Sequence, residues 1–427
     1  IAYASENSTL NIEDSLLTIE TKGQSKGLGF VLDGGVTNIT NSNIENNAGD
    51  VVIFTNKQDS RDETNNYNST TVNLKNTKIP DAKVLVGLNM PDLADTDLSE
   101  GEKTSSPRFV LNADNSQLNG AVKQYDGTNK TPVTLNLTNN TTWDLVDNSE
   151  VTDLHLNNSA VSLTNTNAPY ATLTITGNLT GSGTFNLNTN IAENKSDKIV
   201  VQGTAEGNHK IGVTNQGANV ANGKVTLVET NGGNAAFSLT NPNNRVDLGA
   251  YQYFLTKEGN NWVLANSKNA VTPTSPAAPV TPVTPNKPVV TPNKPVATPT
   301  TPVLPSTPLL SDLANAQVSL RQAQLLLVED DLSGIHQRLG EVKNGEKGNV
   351  WVRNVNSRQK LAALSTGKSE TFGFKQNVHS VQVGADAAVT DNIRVGGFVG
   401  RSQANVDFNG HYGDGKVRSN SMGLYAA

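Results

Sequence analysis

The side chains that could do chemistry are few and scattered in this sequence. Histidine occurs at His155, His209, His336, His379 and His411, and cysteine does not occur. No histidine has a second histidine or a carboxylate at the spacing of a zinc motif such as HExxH. We therefore expect each histidine to be isolated and solvated. The lack of cysteine excludes disulfides, thiolate-bound zinc and thiol catalysis.

Two further strings resemble ligand-binding motifs but depart from them. The string STGKS at 365–369 ends like a phosphate-binding loop, yet Ala362 stands where that loop needs its first glycine. An acidic segment, 92–102, would offer calcium the side chains of Asp95, Asp97 and Glu100. That segment does not supply the glycine and glutamate of an EF-hand. We predict a loop between two strands at 365–369 and a solvated loop at 92–102. We also predict a protein without enzymatic activity, metal or cofactor.

Composition argues against a nucleic-acid-binding protein and against a protein with a membrane-spanning helix. The chain has 33 Lys and Arg against 39 Asp and Glu, a net charge of −6, whereas a nucleic-acid interface needs clustered basic residues. We therefore expect no nucleic-acid partner. No apolar run reaches the roughly 18 residues of a membrane-spanning helix. Because the chain starts at Ile1 without a leader, we expect a fragment or a mature segment.

Residues 1–270 are built from short alternating strings such as TTVNLKNT at 70–77 and PVTLNLTNN at 132–140. Alternation of Leu, Val or Ile with Thr or Asn predicts strands with one buried face. The strings recur about every 20 to 25 residues and end in Asn, Asp or Gly, which tolerate left-handed turns. Such spacing fits a β-solenoid or a series of sandwiches. Asparagine, 44 of the first 270 residues, favours the solenoid, because stacked amides can bond from coil to coil.

Residues 267–308 predict a linker. Twelve of the chain's 18 prolines lie between positions 273 and 308. Proline fixes φ and lacks an N–H donor, so the segment is expected to form an extended polyproline II spacer.

A single helix is predicted after this linker. Ser311 is a suitable N-cap, and Asp312 is favourable in the first turn of a helix. Gly340 is a suitable residue to end the helix. The apolar residues at helical spacing are Leu313, Leu320, Leu327, Val328, Leu332, Ile335 and Leu339. The polar residues assigned to the opposite face include Glu329, Asp330 and Asp331. A lone helix of this kind needs an enclosing partner, because most helix stability comes from packing.

Residues 346–427 return to alternation, clearest in SVQVGADAAVT at 380–390. Strands near ten residues long with one apolar side fit an outer-membrane barrel or an ordinary antiparallel sheet. About four strands fit into this segment, and a closed barrel needs at least eight. If it is a barrel, we expect it to be cut short at Ala427.

Longer motifs at 181–264 carry a resemblance. The strings GSGTFNLNTN, SDKIVVQGTAEGNHKIGVTNQG and KVTLVETNGGNAAFSLTNPNNRVDLGAYQYFLTKEGNNWVLANS follow one another in an order that resembles the junction module of pertactin-like autotransporter passengers. After the linker and the helix come Gly348 with VWVR at 350–353 and then VQVGAD at 381–386, which resemble the start of an autotransporter translocator barrel.

The resemblance implies a type V secretion protein with an all-β fold. Its expected parts are a right-handed parallel β-helix passenger at 1–175, a junction or autochaperone module at 176–266, the Pro-rich linker at 267–308, a pore-spanning α-helix at 309–345 and an incomplete antiparallel outer-membrane β-barrel at 346–427. The implied partners are outer-membrane lipid, the barrel-assembly machinery and host cell-surface or matrix proteins. The implied location is the Gram-negative outer membrane, with a monomeric passenger displayed outside the cell.

Within the junction module, an unusually large apolar set matches the family pattern. We predict that it forms a core that nucleates the stack, so the role depends on packing. Its members are Phe185, Leu187, Ile199, Val201, Leu227, Phe237, Leu239, Tyr251, Tyr253, Leu255, Trp262 and Leu264.

The chain also departs from the family. It carries no GDSGS string of the serine-protease passengers, and the helix offers only Asn315 beside Ala316 rather than paired asparagines, so self-cleavage in the pore is not expected. We expect a non-enzymatic, adhesive passenger. The alternatives are an enzymatic passenger with its catalytic residues upstream of Ile1, or a shielding protein that confers serum resistance.

Overall fold

Two units make up the chain in the computed structural model. One unit is Ile1–Val246 with Phe254–Pro305, and the other is Asp247–Tyr253 with Ser306–Ala427. The structure describes residues 2–5, 8–20, 28–46, 51–55, 69–89, 108–127, 130–164, 169–218, 220–266, 310–341, 347–365, 370–410 and 413–426. The predicted linker 267–308 and acidic segment 92–102 lie outside these residues, as does nearly all of the STGKS string.

The described residues between Ala2 and Ala265 form short strands in a repeated three-strand pattern that becomes irregular towards the end. The first fifteen strands are β1 Ala2–Ser5, β2 Thr9–Glu13, β3 Leu16–Ile19, β4 Leu28–Asp33, β5 Gly35–Thr40, β6 Asn43–Asn46, β7 Val51–Thr55, β8 Thr70–Lys75, β9 Lys78–Ile79, β10 Val84–Leu88, β11 Phe109–Asp114, β12 Gln117–Asn119, β13 Ala121–Gln124, β14 Val133–Thr138 and β15 Thr142–Asp144. The next twelve are β16 Ser149–Val151, β17 Asp153–Ser162, β18 Thr172–Ile175, β19 Leu179–Asn190, β20 Lys195–Ser196, β21 Lys198–Val201, β22 Asn208–Asn215, β23 Lys224–Thr230, β24 Ala236–Leu239, β25 Val246–Leu248, β26 Tyr251–Glu258 and β27 Asn261–Ala265. Two 3-10 turns lie at Ile191–Glu193 and Pro242–Asn244.

Each strand of a coil pairs in parallel with its counterpart in the next coil. The first strands stack in the order β1-β4-β7-β10-β13, and the second strands run β2-β5-β8-β11-β14-β17. The third strands, β3, β6, β9, β12 and β15, stack in the same way. The solenoid predicted from the alternation is therefore confirmed.

Asparagine turns the chain at the corner between the second and third strand in most coils, and Asp14, with a φ of 49°, does so between β2 and β3. The corner asparagines Asn41, Asn76, Asn115, Asn140 and Asn158 have φ values of 51°, 50°, 46°, 65° and 51°, in the left-handed region. Asparagine is among the few L-residues that visit this region readily. These asparagine corners follow one another at intervals of 35, 39, 25 and 18 residues, a wider spread than the predicted 20 to 25, because the coils carry insertions of different length.

The corner asparagines bond to each other along the stack. The Asn76 Nδ2 donates to Asn41 Oδ1 at 2.9 Å, and the Asn115 Nδ2 donates to Asn76 Oδ1 at 2.8 Å. A second row on the outer side of the second strands joins Asn11, Asn38, Asn73, Asn112 and Asn136 at 2.7 to 2.8 Å. These ladders are the coil-to-coil amide bonds that the composition favoured.

An apolar column fills the interior beneath the third strands. Consecutive strands bring its members into direct register, and all of them are buried. They are Ile79, Leu118, Trp143, Val161, Phe185, Ile211 and Leu239. Each large side chain buried in this way stabilises the fold by about 1.5–3 kcal/mol.

The second unit contains one long helix and an antiparallel sheet. The helix α1 is Asp312–Glu341, close to the predicted limits, and the strands are β28 Gly348–Leu361, β29 Phe374–Thr390, β30 Ile393–Phe408 and β31 Asp414–Ala426. The strands pair in sequence order. Four strands were predicted here, and four are described.

The face of α1 that meets the sheet shares Leu320 and Leu327 with the predicted apolar stripe but does not include all of that stripe. Ala323 and Leu327 pack into a cluster with residues of the sheet that include Phe374 and Val378. Of the predicted apolar stripe, Leu313, Val328 and Leu332 are exposed, and Asp331 is buried although it was assigned to the polar face. The error arises because polar side chains of the sheet, invisible in the helix sequence, surround Asp331.

Candidate functional site

The twelve residues predicted for the junction core lie on β19, β21, β23, β24, β26 and β27. Tyr251 is partly buried. The other eleven are buried: Phe185, Leu187, Ile199, Val201, Leu227, Phe237, Leu239, Tyr253, Leu255, Trp262 and Leu264. All of the set except Tyr251 and Tyr253 lies in the unit that contains the coils, where it can stabilise the last of them.

Four rings form an aromatic row through this region, which consists of Phe185, His209, Phe237 and Trp262. Ring centroids are 5.8 Å apart from Phe185 to His209, 5.3 Å from His209 to Phe237 and 5.5 Å from Phe237 to Trp262. The Lys257 Nζ lies 5.8 Å from the Trp262 ring centroid. The row joins parallel coils at β19, β22 and β24 to the antiparallel pair β26–β27.

The expectation of a solvated His209 is wrong, because its ring is 1% exposed between two phenylalanines. Its Nε2 lies 3.0 Å from the Glu206 carbonyl oxygen, and its Nδ1 has no hydrogen-bond partner among the described residues. Burial lowers the pKa of His209 below its ordinary value, and the Glu206 carbonyl opposes this only in part. The ring is therefore held neutral, with its proton on Nε2.

The other histidines lie elsewhere. His155 is half-buried, with Nδ1 2.9 Å from Thr180 Oγ1, whereas His336 and His379 are exposed. His411 lies outside the described residues.

Asp197 is a core residue that the sequence reasoning missed. It is fully buried, and its carboxylate accepts hydrogen bonds from the backbone N–H groups of Ala171 at 2.8 Å and Asn188 at 2.6 Å. Burial raises the pKa of Asp197, and the two backbone donors oppose that rise. The carboxylate thereby ties β19 to the start of β18. Its place in the SDK string was the only available signal.

Asparagine side chains also close the end of the stack. β24 pairs with β22 only as far as Ile211, and beyond that point Asn241 takes the place of a strand. Its Oδ1 accepts from Val213 N–H and its Nδ2 donates to the Val213 carbonyl, both at 3.1 Å. Asn244 Oδ1 accepts from Leu239 N–H at 2.9 Å. We name Asn241 and Asn244 the end cap, since they satisfy backbone groups that would otherwise template further strands.

A polar crease follows the asparagine corners on the outside of the solenoid. Cavities of about 510, 560 and 640 Å³ lie along it. Their linings are mainly Asn, Thr and Ser side chains, and they also include Asp14, Asp114, Lys75, Lys78 and Lys210. The crease therefore offers solvent mainly neutral hydrogen-bond donors and acceptors.

The sheet of the second unit has an apolar outer face over half of its height. Met422 is 86% exposed and Leu424 92%. Exposed apolar residues on the neighbouring strands lie in these two rows or in the adjacent one: Val350, Val352, Val383, Val395 and Val399. Beyond them the same face carries Arg358, Lys375 and Lys416. A contiguous exposed apolar patch of this kind marks an interaction surface.

The inner face of that sheet carries a buried polar network. Asp386 accepts from Arg394 Nη1 at 2.6 Å and from the Tyr425 hydroxyl at 2.8 Å, and Trp351 Nε1 donates to that hydroxyl at 2.8 Å. The VWVR and VQVGAD strings thus meet through Trp351 and Asp386. Gly384 leaves room for the Trp351 ring, because a Cβ at this position would collide with it.

The described part of the chain contains neither a metal-binding cluster nor a membrane-spanning helix. No three His, Cys, Asp or Glu side chains there come close enough to hold a metal ion. None of its helices has the length and hydropathy needed to cross a bilayer.

Two models of known protein families match this chain. The family model described as Pertactin matches residues 151–266, which contain the aromatic row and the end cap. The model described as Autotransporter beta-domain matches residues 350–427, which contain the sheet with the apolar outer face. In both regions the chain resembles the pertactin-like autotransporters.

Individual autotransporters agree with this assignment. The probable autotransporter YcgV of Escherichia coli K12 is 37% identical over 303 residues, covering 68% of this chain and 30% of that protein. The pertactin autotransporter of Bordetella bronchiseptica is 33% identical over 335 residues, covering 76% of this chain and 35% of that protein. The chain thus spans about a third of the length of these relatives.

Matches with adhesins are shorter or weaker. The autotransporter adhesin/invasin TibA of Escherichia coli is 38% identical over 130 residues, which cover 29% of this chain and 13% of TibA. The solved Hap adhesin of Haemophilus influenzae superposes with a TM-score of 0.40 at 22% identity, covering 61% of this chain and 24% of that one.

The β-domain match and the autotransporter relatives give the location. The β-domain lies in the Gram-negative outer membrane, and the passenger is exposed at the cell surface. The apolar outer face of β28–β31 accordingly faces lipid. From Val381 to Val389 the strand covers about 27 Å, comparable with the apolar band of about 25 Å in such proteins.

Proposed function

We propose that this autotransporter displays a non-enzymatic, adhesive passenger that binds host cell-surface or matrix proteins. The observation that carries the proposal is the arrangement of the two family matches on one chain, a pertactin region followed by a β-domain. The relative named an adhesin/invasin supports the adhesive part. The polar crease supports it too, because it presents neutral bonding groups over several coils.

A division of labour along the chain follows from this proposal. Residues 1–175 are the partial passenger, 176–266 the junction module, 267–308 the linker, 309–345 the helix within the β-domain and 346–427 the first strands of that domain. The passenger acts as a monomer, and insertion of the β-domain depends on the assembly machinery of the outer membrane.

The junction module acts as an autochaperone in this scheme. It holds eleven buried members of the predicted core, and the end cap closes its open edge. A stack of coils is quasi-one-dimensional, so a stable terminal unit lets each further coil add to a formed neighbour. The module therefore folds first outside the cell and templates the coils before it.

Adhesion is tested on cells that display the protein. A Gram-negative strain producing it should bind immobilised host matrix proteins or cultured cells well above a strain producing the same protein without residues 1–175. Protease shaving of intact cells checks that the passenger is outside in the first strain. Equal binding by both strains, with the passenger shown to be exposed, would contradict the adhesive function.

A serum-survival assay on the same two strains addresses the shielding alternative. Adhesion predicts that removal of residues 1–175 lowers binding and leaves survival in serum unchanged. A loss of survival without a loss of binding would contradict adhesion and show that the passenger acts as a shield.

A further inference from the structure

The contact between α1 and its sheet changes from apolar to polar along one stripe of the helix. Ala316, Leu320, Ala323 and Leu327 are the apolar part of the stripe, spaced three or four residues apart. One turn further on, the stripe continues with Asp331, which is 6% exposed. An apolar residue there would extend the packing, and a buried carboxylate costs desolvation.

Neutral donors from the sheet surround the Asp331 carboxylate. Its Oδ1 accepts from the Ser402 hydroxyl at 2.7 Å and from the Ser380 hydroxyl at 3.2 Å. The two hydroxyl oxygens lie 2.7 Å apart. In addition, Gln382 Nε2 donates to the Asp331 carbonyl at 3.2 Å. Among the described residues no cation pairs with Asp331, so its partners are hydroxyl and amide groups of β29 and β30.

The neighbouring Asp330 reaches a third strand. Its carboxylate accepts from Ser357 Oγ at 3.1 Å and from Gln359 Nε2 at 2.9 Å, both on β28. Two consecutive aspartates thus engage all of β28, β29 and β30. Arg353 donates to the Gly334 carbonyl at 2.5 Å and extends the grip by another turn.

Apolar packing and these hydrogen bonds differ in what they specify. Apolar burial is non-directional, so sliding the helix by one turn, about 5.4 Å, would replace one small or aliphatic contact by another. The same slide would carry Asp331 beyond hydrogen-bond reach of Ser380 and Ser402. The hydrogen bonds therefore select a single setting among several of similar burial.

We infer that Asp330 and Asp331 are positioning residues that fix one longitudinal setting of α1 on the β-domain sheet. For the display of the passenger, and resting on the function proposed above, this setting defines how far the helix is drawn into the β-domain. The effect on the setting itself does not depend on what the passenger binds.

The cysteine-free chain allows the setting to be read by cross-linking. Leu320 lies against Gly415, where an added Cβ would be 2.7 Å from Leu320 Cδ2. The pair Leu320→Cys with Gly415→Cys reports the native setting. Cysteines at Ala316 or Gln324, paired with Gly415→Cys, report a slide of one turn in either direction. Oxidation in outer membranes from cells producing the full-length protein is followed by gel mobility.

The wild-type helix should give one strong cross-link, at the native pair, with at least tenfold less at the other two. Asp331→Leu extends the apolar stripe, so the helix should remain bound while the native cross-link falls at least threefold and a shifted one appears. Asp331→Asn keeps an acceptor for the serines and should retain the native pattern. The matched control Glu329→Leu, at an exposed acid of the same helix, should change nothing.

A single native cross-link in Asp331→Leu would overturn the inference, and so would an equal loss in Asp331→Asn. If Asp331→Leu does not reach the membrane, the double variant Ser380→Ala/Ser402→Ala removes the same bonds from the sheet side and must show the shifted cross-link. Protease shaving of the same cells reports passenger exposure separately. An unexposed passenger with a native cross-link would refute display and leave the positioning role intact.

Discussion

His209 occupies a place where an imidazole has to stay neutral, between the rings of Phe185 and Phe237. Its pKa is lowered by burial, so the unfolded chain takes up a proton as pH falls through 6.5 while the folded chain does not. The free energy of unfolding should therefore be independent of this group above 6.5 and should fall as pH drops below that value.

The measurement is urea unfolding of the detergent-solubilised protein, followed by tryptophan fluorescence at pH 7.5 and 5.5. Wild type should lose more stability between the two pH values than His209→Gln does. His155→Gln is the matched control and should behave as wild type. A pH dependence that survives His209→Gln would mean that other groups cause it.

Asp197 leads to a prediction about a nearly isosteric change. Asparagine offers one acceptor oxygen, so in Asp197→Asn the amide nitrogen would face one of the two backbone N–H groups that the carboxylate now satisfies. Leaving a buried donor unsatisfied costs about 1–3 kcal/mol. Urea unfolding should show a loss of that size. Asp147→Asn, which breaks only a half-exposed ion pair with Lys123, should cost less than about 1 kcal/mol.

The corner of a coil, as an element, needs a left-handed residue more than it needs an amide. Asn76 at the corner and Asn73 on the strand each make one ladder bond to the coil before and one to the coil after. Only Asn76 has a positive φ, 50°. Alanine in that conformation costs about 1–2 kcal/mol, which glycine avoids.

Glycine should thus be tolerated better than alanine at position 76, and alanine better than glycine at 73, where glycine weakens a strand by about 0.5–1 kcal/mol. Denaturant midpoints of the four variants check this inversion. The same order at both positions would show that the amide ladder, and not the backbone, determines the cost.

Elements that depend on contacts between residues close together in the sequence could be predicted from the sequence. The alternation of β14 and the proline-free run of α1 are local, and so are the asparagine corners. His209 and Asp331 were misjudged for the opposite reason. Their surroundings come from Phe185 and Phe237 in one case and from Ser380 and Ser402 in the other, and a single sequence does not reveal which distant strands will meet. The coil length also escaped prediction, because insertions leave the strand pattern intact.

At the scale of the whole molecule, each unit combines an apolar core with polar groups that determine where that core ends or how its elements are aligned. In the first unit the end cap stops the parallel stack at β22 and β24. In the second, Asp330 and Asp331 stop the slide of α1. Both devices use neutral Asn, Ser or Gln partners, which bond directionally without burying an additional charge.

The autochaperone role is a claim about folding order, and two phenylalanines distinguish it from ordinary stability. Phe237 lies in the junction core and Phe109 in an upstream coil, at 1% and 0% exposure. Replacing either by alanine should cost about 3–5 kcal/mol, and Trp262→Ala in the same core should cost a similar amount. If the junction nucleates the stack, Phe237→Ala should slow refolding, while Phe109→Ala should mainly speed unfolding.

Stopped-flow fluorescence measures the refolding and unfolding rates of both variants. In addition, the protease resistance of the displayed passenger should drop further for Phe237→Ala than for Phe109→Ala. Equal slowing of refolding by the two substitutions would place the nucleus elsewhere in the chain.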